Sequence, residues 1–473
     1  MDYFAAILFL FLYFVRLHDW VPYLSGLNVV KPAMILGGFG LLTRQRRTPG
    51  WKFMGTPHEW VLVAYLGFAV WMDLDWYGTF QDVFPLASFY FLTAYALNTE
   101  AKLAGFFNWW GFCVVFMGVV GALTVVGIDL TNAKDLIVAE NGRLALNTYQ
   151  MDNPNALGHT AVTGLVLIYM LLVFRRDVAT RFLAIPLIMM VGLCVVSTQS
   201  KGAYLSGIAG LAGALLVGRK LWMQILVGCL LAGTLYIASS MLPRMVDRDQ
   251  LRHDEGVMGR LLAFEAARTA YQTQPAGWKH FVATIKWQGQ DETKATHSSY
   301  VQVGADLGPK GMFLYLSLLC CAFRSVITLR TDSDDLERCR RLIFALMVGL
   351  AVSGWMITRP YHAEYFLLAG AATAYHRLAV EHLKGIVPEF GVVEKMPEPD
   401  VPAAEDGKPV ALAPQPEAEA QGAPVTPASP EPDAGEPQPA RKFWTRYGFV
   451  DVATGYLALN FVVWFWDYII ENL

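Results

Sequence analysis

Charge is scarce in this sequence. Only 16% of its 473 residues are Asp, Glu, Lys or Arg, against 55% hydrophobic, whereas a soluble domain carries nearer a quarter charged. The formal net charge is −3. The basic residues sit in short clusters between apolar blocks, a pattern that carries topology information and offers no nucleic-acid patch. Cysteine is also scarce. Cys113, Cys194, Cys229, Cys320 and Cys321 lie in apolar blocks and Cys339 in a charged connector. They show neither metal-ligand spacing nor a disulfide framework, which leaves small apolar packing residues. The opening "MDYFAAILFLFLYF" lacks a basic n-region, so we read it as a first helix and not as a cleaved signal.

What is abundant is long apolar runs. "FNWWGFCVVFMGVVGALTVVGI" and "LWMQILVGCLLAGTLYIASSML" are typical, and at 1.5 Å per residue each reaches across a bilayer core of roughly 30 Å. Lipid leaves no partner for unpaired backbone groups, so such runs are helices. Spans are expected at roughly 3–17, 27–42, 59–76, 82–98, 104–128, 156–174, 182–198, 203–218, 221–242, 304–329, 342–358, 365–380 and 447–469. The expected fold is all-α: a multi-span body over 1–385 with about 12 transmembrane helices, short helices in one large outer loop (243–298), and one tethered C-terminal helix.

Orientation follows from basic residues in short loops. "TRQRRTPGWK" (43–52), "FRRDVATR" (174–181), "GRK" (218–220) and "RSVITLRTDSDDLERCRR" (324–341) all fall on one side of this span pattern. That side is cytoplasmic, with the N-terminus inside. The acidic "DLDWYGTFQD" and the long 243–298 loop then lie outside. Residues 386–442 are dense in Pro, Ala and Glu and cannot bury enough apolar surface to order themselves. We read a cytoplasmic flexible linker leading to the last helix (443–473). Linker and helix together are candidates to recruit a partner.

With that topology, polar residues converge on the outer face. In "VVSTQSKGAYLSG", Lys201 sits in a tight turn with Gln199 and Ser200. It either snorkels to headgroups or joins backbone N–H donors in holding an anion such as phosphate. In "HDEGVMGRLLAFEAARTAYQTQPAGW", Val257, Leu261, Leu262 and Phe264 give a helix an apolar side. Arg260 and Arg268 then either face headgroups from a helix lying on the membrane or grip a pyrophosphate with two-pronged guanidinium contacts. In "KATHSSYVQVGADLGPKG", His297 is either a boundary residue bonded to loop backbone or an imidazole that orients a hydroxyl near neutral pH. In "YQMDNPNALGHT", Asn155 is expected to cap a helix and His159 to be a satisfied buried group. "TRPYHAEY" places Arg359 and His362 in a short outer loop as further site lining. Asp73 and Asp75 could hold a divalent metal, although paired acids are also ordinary in such a loop.

Three of these blocks, "STQSKGAYLSG", "GRLLAFEAARTAYQTQPAGW" and "HSSYVQVGADLGPKGMFLYL", resemble in that order the signature blocks of the bacterial O-antigen ligase and polymerase superfamily. "DNPNALGHTAV" resembles its upstream turn, and the likeness covers roughly residues 150 to 330. It implies an inner-membrane glycosyltransferase that takes a glycan from an undecaprenyl-pyrophosphate carrier. The acceptor is a hydroxyl of a lipid, glycan or protein at the periplasmic face, and the displacement is inverting and needs no metal or cofactor. Arg260 and Lys201 would then hold the pyrophosphate and His297 would activate the acceptor. Ser200, Gln199, Arg268, Tyr300, Asn155, Arg359 and His362 would line the substrate site. The family's turn usually ends Ser-Arg-Gly, whereas this chain has Ser200-Lys201-Gly202, which keeps the charge but not the fork. The usual His-Asn is here His297-Ser298.

Ligation and polymerisation are not separable at this level, and fold-level analogy leans to ligation. A non-enzymatic transporter of a polar lipid or polysaccharide would instead place charges near the bilayer midplane and show repeat symmetry between its halves. No such repeat is evident.

Overall fold

Short polar side chains set where many of the helices begin. Thr56 and Glu59 form a capping box at the start of α4 (Pro57–Met72). Asp75 accepts from Gly78 N at the start of α5 (Trp76–Ala96), and Thr99 accepts from Lys102 N before α6 (Glu100–Val125). Each such bond satisfies one of the four N–H groups that a helix start leaves without a partner. The computed structural model describes residues 2–24, 30–45, 53–174, 176–216, 222, 255–287, 290–384, 444 and 446–472.

Along the described chain the remaining elements are α1 (Asp2–Phe14), α2 (Leu17–Trp20), α3 (Val30–Gln45), α7 (Lys134–Ala139), α8 (Pro154–Ile168), α9 (Val178–Thr198), α10 (Lys201–Leu216) and α11 (Glu255–Gln272). They continue as β1 (Ala283–Trp287), β2 (Gln290–Lys294), α12 (Ser299–Thr328), α13 (Asp334–Ser353), α14 (Ala363–Leu383) and α15 (Phe449–Asn472). Every expected span except 221–242 coincides with a helix; that one, apart from residue 222, lies outside the described residues. Among the described residues, six helical segments are long and apolar enough to cross a membrane.

The polar loop departs from an all-helical reading. Its described residues hold an 18-residue helix, α11, and a two-stranded antiparallel hairpin, with Ala283 opposite Lys294 and Trp287 opposite Gln290. The physical reason is that β2 reads "QDETK", five polar residues with little strand preference of their own. Pairing with β1 and packing under α11 supply the order. Ala283 and Ile285 of β1 form a cluster with Ala263 of α11. The same helix packs Phe264 and Ala267 against Val301 and Ala305 of α12. The helix is therefore clasped between hairpin and bundle, and does not lie free on a membrane surface.

Helix α12 is the axis of the assembly, in contact with α4, α11, α13, α14 and α15. It bends at Gly308, whose φ of 65° and ψ of −167° interrupt the helix just before Pro309. Glycine is needed there: the conformation is left-handed, and a Cβ would lie 2.7 Å from Pro275 Cγ,. The last helix, α15, belongs to one compact unit with residues 1–384. The linker expected at 386–442 lies outside the described residues.

Contacts sort the loops into two ends. At one end lie the α1 exit, the α4–α5 turn, the segment before α8, the loop carrying α11 and the segment before α14. These are joined by Tyr149 N to Asp19, Trp278 N to Asp73, and Arg359 to Gln150 O. At the other end Glu59 pairs with Arg377, Ser333 bonds Glu100, and Arg340 and Arg341 both hold Glu337.

Asp306, fully buried on α12, welds the first end together. Its carboxylate accepts Phe281 N at 2.8 Å, the Tyr361 hydroxyl at 2.6 Å and the Gln302 amide at 3.1 Å. Two segments distant in sequence, at Phe281 and Tyr361, thus share one acceptor on α12. Asp306→Ala is expected to lower stability by at least about 2 kcal/mol, because it strands buried donors. Asp306→Asn is expected to lower it less. Thermal unfolding in detergent micelles reads both, and an unchanged midpoint for the alanine variant contradicts the weld.

Candidate functional site

The stretch "THSSY" is held as a clasp. The Thr296 hydroxyl lies 3.0 Å from Gln302 Oε1 and 3.2 Å from the Thr358 hydroxyl. Ser298 caps α12 by accepting from Val301 N, and its hydroxyl donates to Gly354 O at 3.2 Å. Ser299 N donates to Gly354 O at 2.6 Å, and its hydroxyl both donates to Ile357 O and accepts from Arg359 N. Every neighbour of His297 is thus tied to the 354–359 segment. His297 itself is forced into the left-handed region, with φ 50°. A non-glycine residue there costs roughly 1–3 kcal/mol and persists only where the surroundings over-determine it.

The half-buried His297 ring sits in a positive field. Burial, then the charges of Arg260 and Lys294, push its pKa down to about 4. At neutral pH it is therefore an uncharged imidazole. Arg260 is exposed on α11, and the backbone one residue before it lies against β2: a Cβ on Gly259 would sit 3.6 Å from Lys294 Cε. The structure therefore brings Arg260 and His297 together and adds Lys294, which the sequence reading did not single out. Lys294 stands three residues before His297 in the same quoted stretch. Its ammonium also pairs with Glu292 at 2.9 Å.

Beside the clasp lies a cavity of about 500 Å³. Phe9, Leu12, Leu86 and Phe89 give it an apolar side, and Arg16, Tyr149, Gln150, Lys279, Thr358 and His362 give it a polar one. Thr358 joins this cavity to Thr296, next to His297. Two of the cations carry their own acids: Arg16 pairs with Asp19 at 2.5 Å, and Lys279 with Asp82 at 2.7 Å. His362 precedes α14 with Nδ1 3.1 Å from Gln150 Oε1. Burial and the charges of Arg359 and Lys279 push it down to about 3, so it too is neutral. Arg359 is engaged by Gln150 O and by Glu364 at 3.5 Å. It acts as an internal tie of this end.

Lys201 opens α10, and the adjacent Gly202 faces Met356, 2.6 Å from where its Cβ would be. The lysine's turn and His297 therefore flank the same 354–358 segment. Gln199 ends α9 in the left-handed region with φ 49° and is exposed.

Other expected site residues are placed differently. Ser200 is buried and turned inward, its hydroxyl accepting from Ala203 N at 3.3 Å to cap α10. Tyr300 is buried against Trp355 and Tyr315, and donates to Ala351 O at 2.7 Å; it is core. Arg268 is taken by Asp467, Nε to Oδ1 at 2.6 Å. The cap of α8 is Asn153 and not Asn155, because Pro154 occupies the first helical position and Asn153 accepts from Asn155 N. Asn155 instead accepts from Arg143 at 2.9 Å, and Arg143 also donates to Thr198 O at 3.1 Å. Arg143 was unforeseen: it lies in a loop with no motif around it. His159 is only half satisfied; Nδ1 meets Ser206 and Ser353, and Nε2 has no partner among the described residues.

The acids of "DLD" have structural work. Asp75 caps α5. Asp73 accepts from Asp75 N and Trp278 N and lies 3.2 Å from His280 Nε2. Burial opposes its ionisation, but bonds from Thr79, Asp75 and Trp278 and the nearby His280 outweigh that and hold it below the usual carboxylate range. Among the described residues no three His, Cys, Asp or Glu side chains come together as a metal-binding group.

The chain matches no protein-family model and no curated protein sequence.

The His297 field has a measurable sign. An unfolded imidazole titrates near 6.5 and the folded one near about 4. Between those values the unfolded state binds more protons, so stability contributed by the neutral ring falls as pH drops through that window and is complete above it. A ¹³C-histidine titration, with the signal assigned by its loss in His297→Gln, is expected to show a midpoint near about 4. Arg260→Ala or Lys294→Ala should move it up. A wild-type midpoint near 6.5 contradicts this geometry.

Proposed function

We propose that this protein transfers a glycan from an undecaprenyl-pyrophosphate carrier to an acceptor hydroxyl at the outer face of a bacterial inner membrane. The observation that carries the reading is a neutral imidazole held in a strained backbone conformation beside two cations, Arg260 and Lys294. In the step, the acceptor oxygen forms a bond to the sugar's anomeric carbon as the carbon–oxygen bond to pyrophosphate breaks, with inversion. Negative charge grows on the departing pyrophosphate, where positive charge is worth most. The acceptor proton is oriented by His297 and passes through it to solvent.

The low basicity of His297 fits this order. In the absence of donor, burial and the field of Arg260 and Lys294 keep the imidazole neutral. A pyrophosphate bound beside them offsets their field and raises the basicity of His297 as the acceptor arrives. The amphipathic cavity supports the same reading: its apolar wall suits lipid and its polar wall suits a glycan. Lys201 contributes charge without a two-pronged grip.

The topology proposed with it has about 12 body spans and the basic clusters inside. The end bearing His297 faces outward, and the linker lies in the cytoplasm.

The test uses purified protein in nanodiscs, given an undecaprenyl-pyrophosphate glycan and a panel of lipid, glycan and protein acceptors. Wild type should form product with chelator present. His297→Ala should slow it by about 10²–10⁴-fold, and Arg260→Ala should lower kcat/KM by a comparable factor. Single additions identify a ligase and long chains a polymerase. No product with any acceptor, or product insensitive to both substitutions, overturns the proposal; glycolipid movement between leaflets without product replaces it with transport.

A further inference from the structure

The last helix is joined to the outer helix by contacts that do more than cover apolar surface. The Arg268 guanidinium of α11 donates from Nε to Asp467 Oδ1 at 2.6 Å and from Nη2 to Oδ2 at 2.9 Å, a two-pronged pair. It also lies over the rings of Tyr271 and Trp466, at 5.1 and 5.7 Å. The Trp466 indole is fully buried among Phe264, Ala267, Val301 and Ala305, and its N–H donates to Phe264 O at 3.3 Å. At the far end of α15, Asp451 pairs with Arg324 of α12 at 2.5 Å. The two acids are sixteen residues apart, about 24 Å along a helix. Each therefore stands near an end of the span, where a charge in a membrane helix is tolerated.

Helical geometry turns this into a statement about Arg260. Arg260 and Arg268 are eight residues apart, about 12 Å along α11 and roughly 80° around it. A fork-on-fork contact at Arg268 fixes the rotation of the helix about its own axis. It therefore fixes the direction in which Arg260 leaves the helix.

We infer that Asp467 is a positioning residue: through Arg268, the C-terminal helix sets the rotation of α11 and with it the place of Arg260 beside His297. The kinetic consequence rests on the glycan-transfer reading; the structural one does not, and two readouts keep them separate.

Hydrogen–deuterium exchange in nanodiscs reads the clamp directly. Asp467→Asn and the conservative Arg268→Lys are each expected to raise exchange of the Leu261–Tyr271 amides by about tenfold. The exchanged pair Arg268→Asp with Asp467→Arg should restore protection. In the transfer assay the single variants should raise the donor KM by about fivefold and lower kcat as well, and the exchanged pair should bring KM back. Simple loss of folded protein would instead lower kcat with KM unmoved. Unchanged α11 exchange in both single variants overturns the inference whether or not transfer is found. Loosened α11 exchange with an unmoved donor KM overturns the positioning of Arg260 while leaving transfer intact. Absence of transfer in wild type, with α11 loosened as expected, leaves the clamp standing and removes the transferase reading.

Discussion

Between Lys294 and Ser299 the chain must leave a polar hairpin and enter an apolar bundle, and its backbone groups must find partners on the way. An unpaired N–H or C=O buried there costs as much as a lost hydrogen bond. The solution is a run of short hydroxyl side chains. Thr296, Ser298 and Ser299 bond to Gly354 O, Ile357 O, Arg359 N and Thr358. That network leaves one residue, His297, in a left-handed backbone conformation. The placing of the hairpin, α11 and the 354–359 segment depends on this crossing.

Electrostatics then divides the cations of this end into two groups. Arg16, Lys279, Arg268 and Arg359 have acids beside them at salt-bridge distance. They hold loops and helices together, and in partly exposed settings such pairs add little net binding capacity. Arg260 and Lys294 act on His297 through their field. Lys294 does so even though Glu292 shares its charge. Charge that acts on a neutral imidazole and charge that closes a loop look alike in sequence. Only the fold, which sets the Arg260 and Lys294 charges near His297, distinguishes them.

Much of the architecture was legible because apolar runs of span length have few alternatives in lipid. Helix existence followed from that constraint, and boundaries moved by a few residues where caps decided them, as at Ser298 and Asn153. The hairpin was not legible, since the residues of β2 have no intrinsic strand signal and are ordered by β1 and α11. At the site, His297 and Arg260 could be named from motif order, and their proximity needed the fold. Tyr300 and Ser200 looked available because they adjoin the motifs, but the backbone turns both inward. Arg268 looked free to bind an anion because its acid, Asp467, is 199 residues away. Arg143 and Asp306 could not be singled out, as their importance lies wholly in tertiary contacts.

In the proposed transfer an anion-bearing lipid reaches Arg260 of α11, Lys294 of β2 and His297, the residue before the α12 cap. Photocrosslinking tests it most directly. A polyprenyl pyrophosphate carrying a photoreactive group beside the phosphates would be irradiated with the full-length protein in nanodiscs, and the labelled peptides sequenced. Labelling at Met258–Leu262 and at Lys294–His297, suppressed by excess unlabelled polyprenyl pyrophosphate, is the result the account predicts. Competable labelling confined to other regions, with these two segments unmarked, would contradict it.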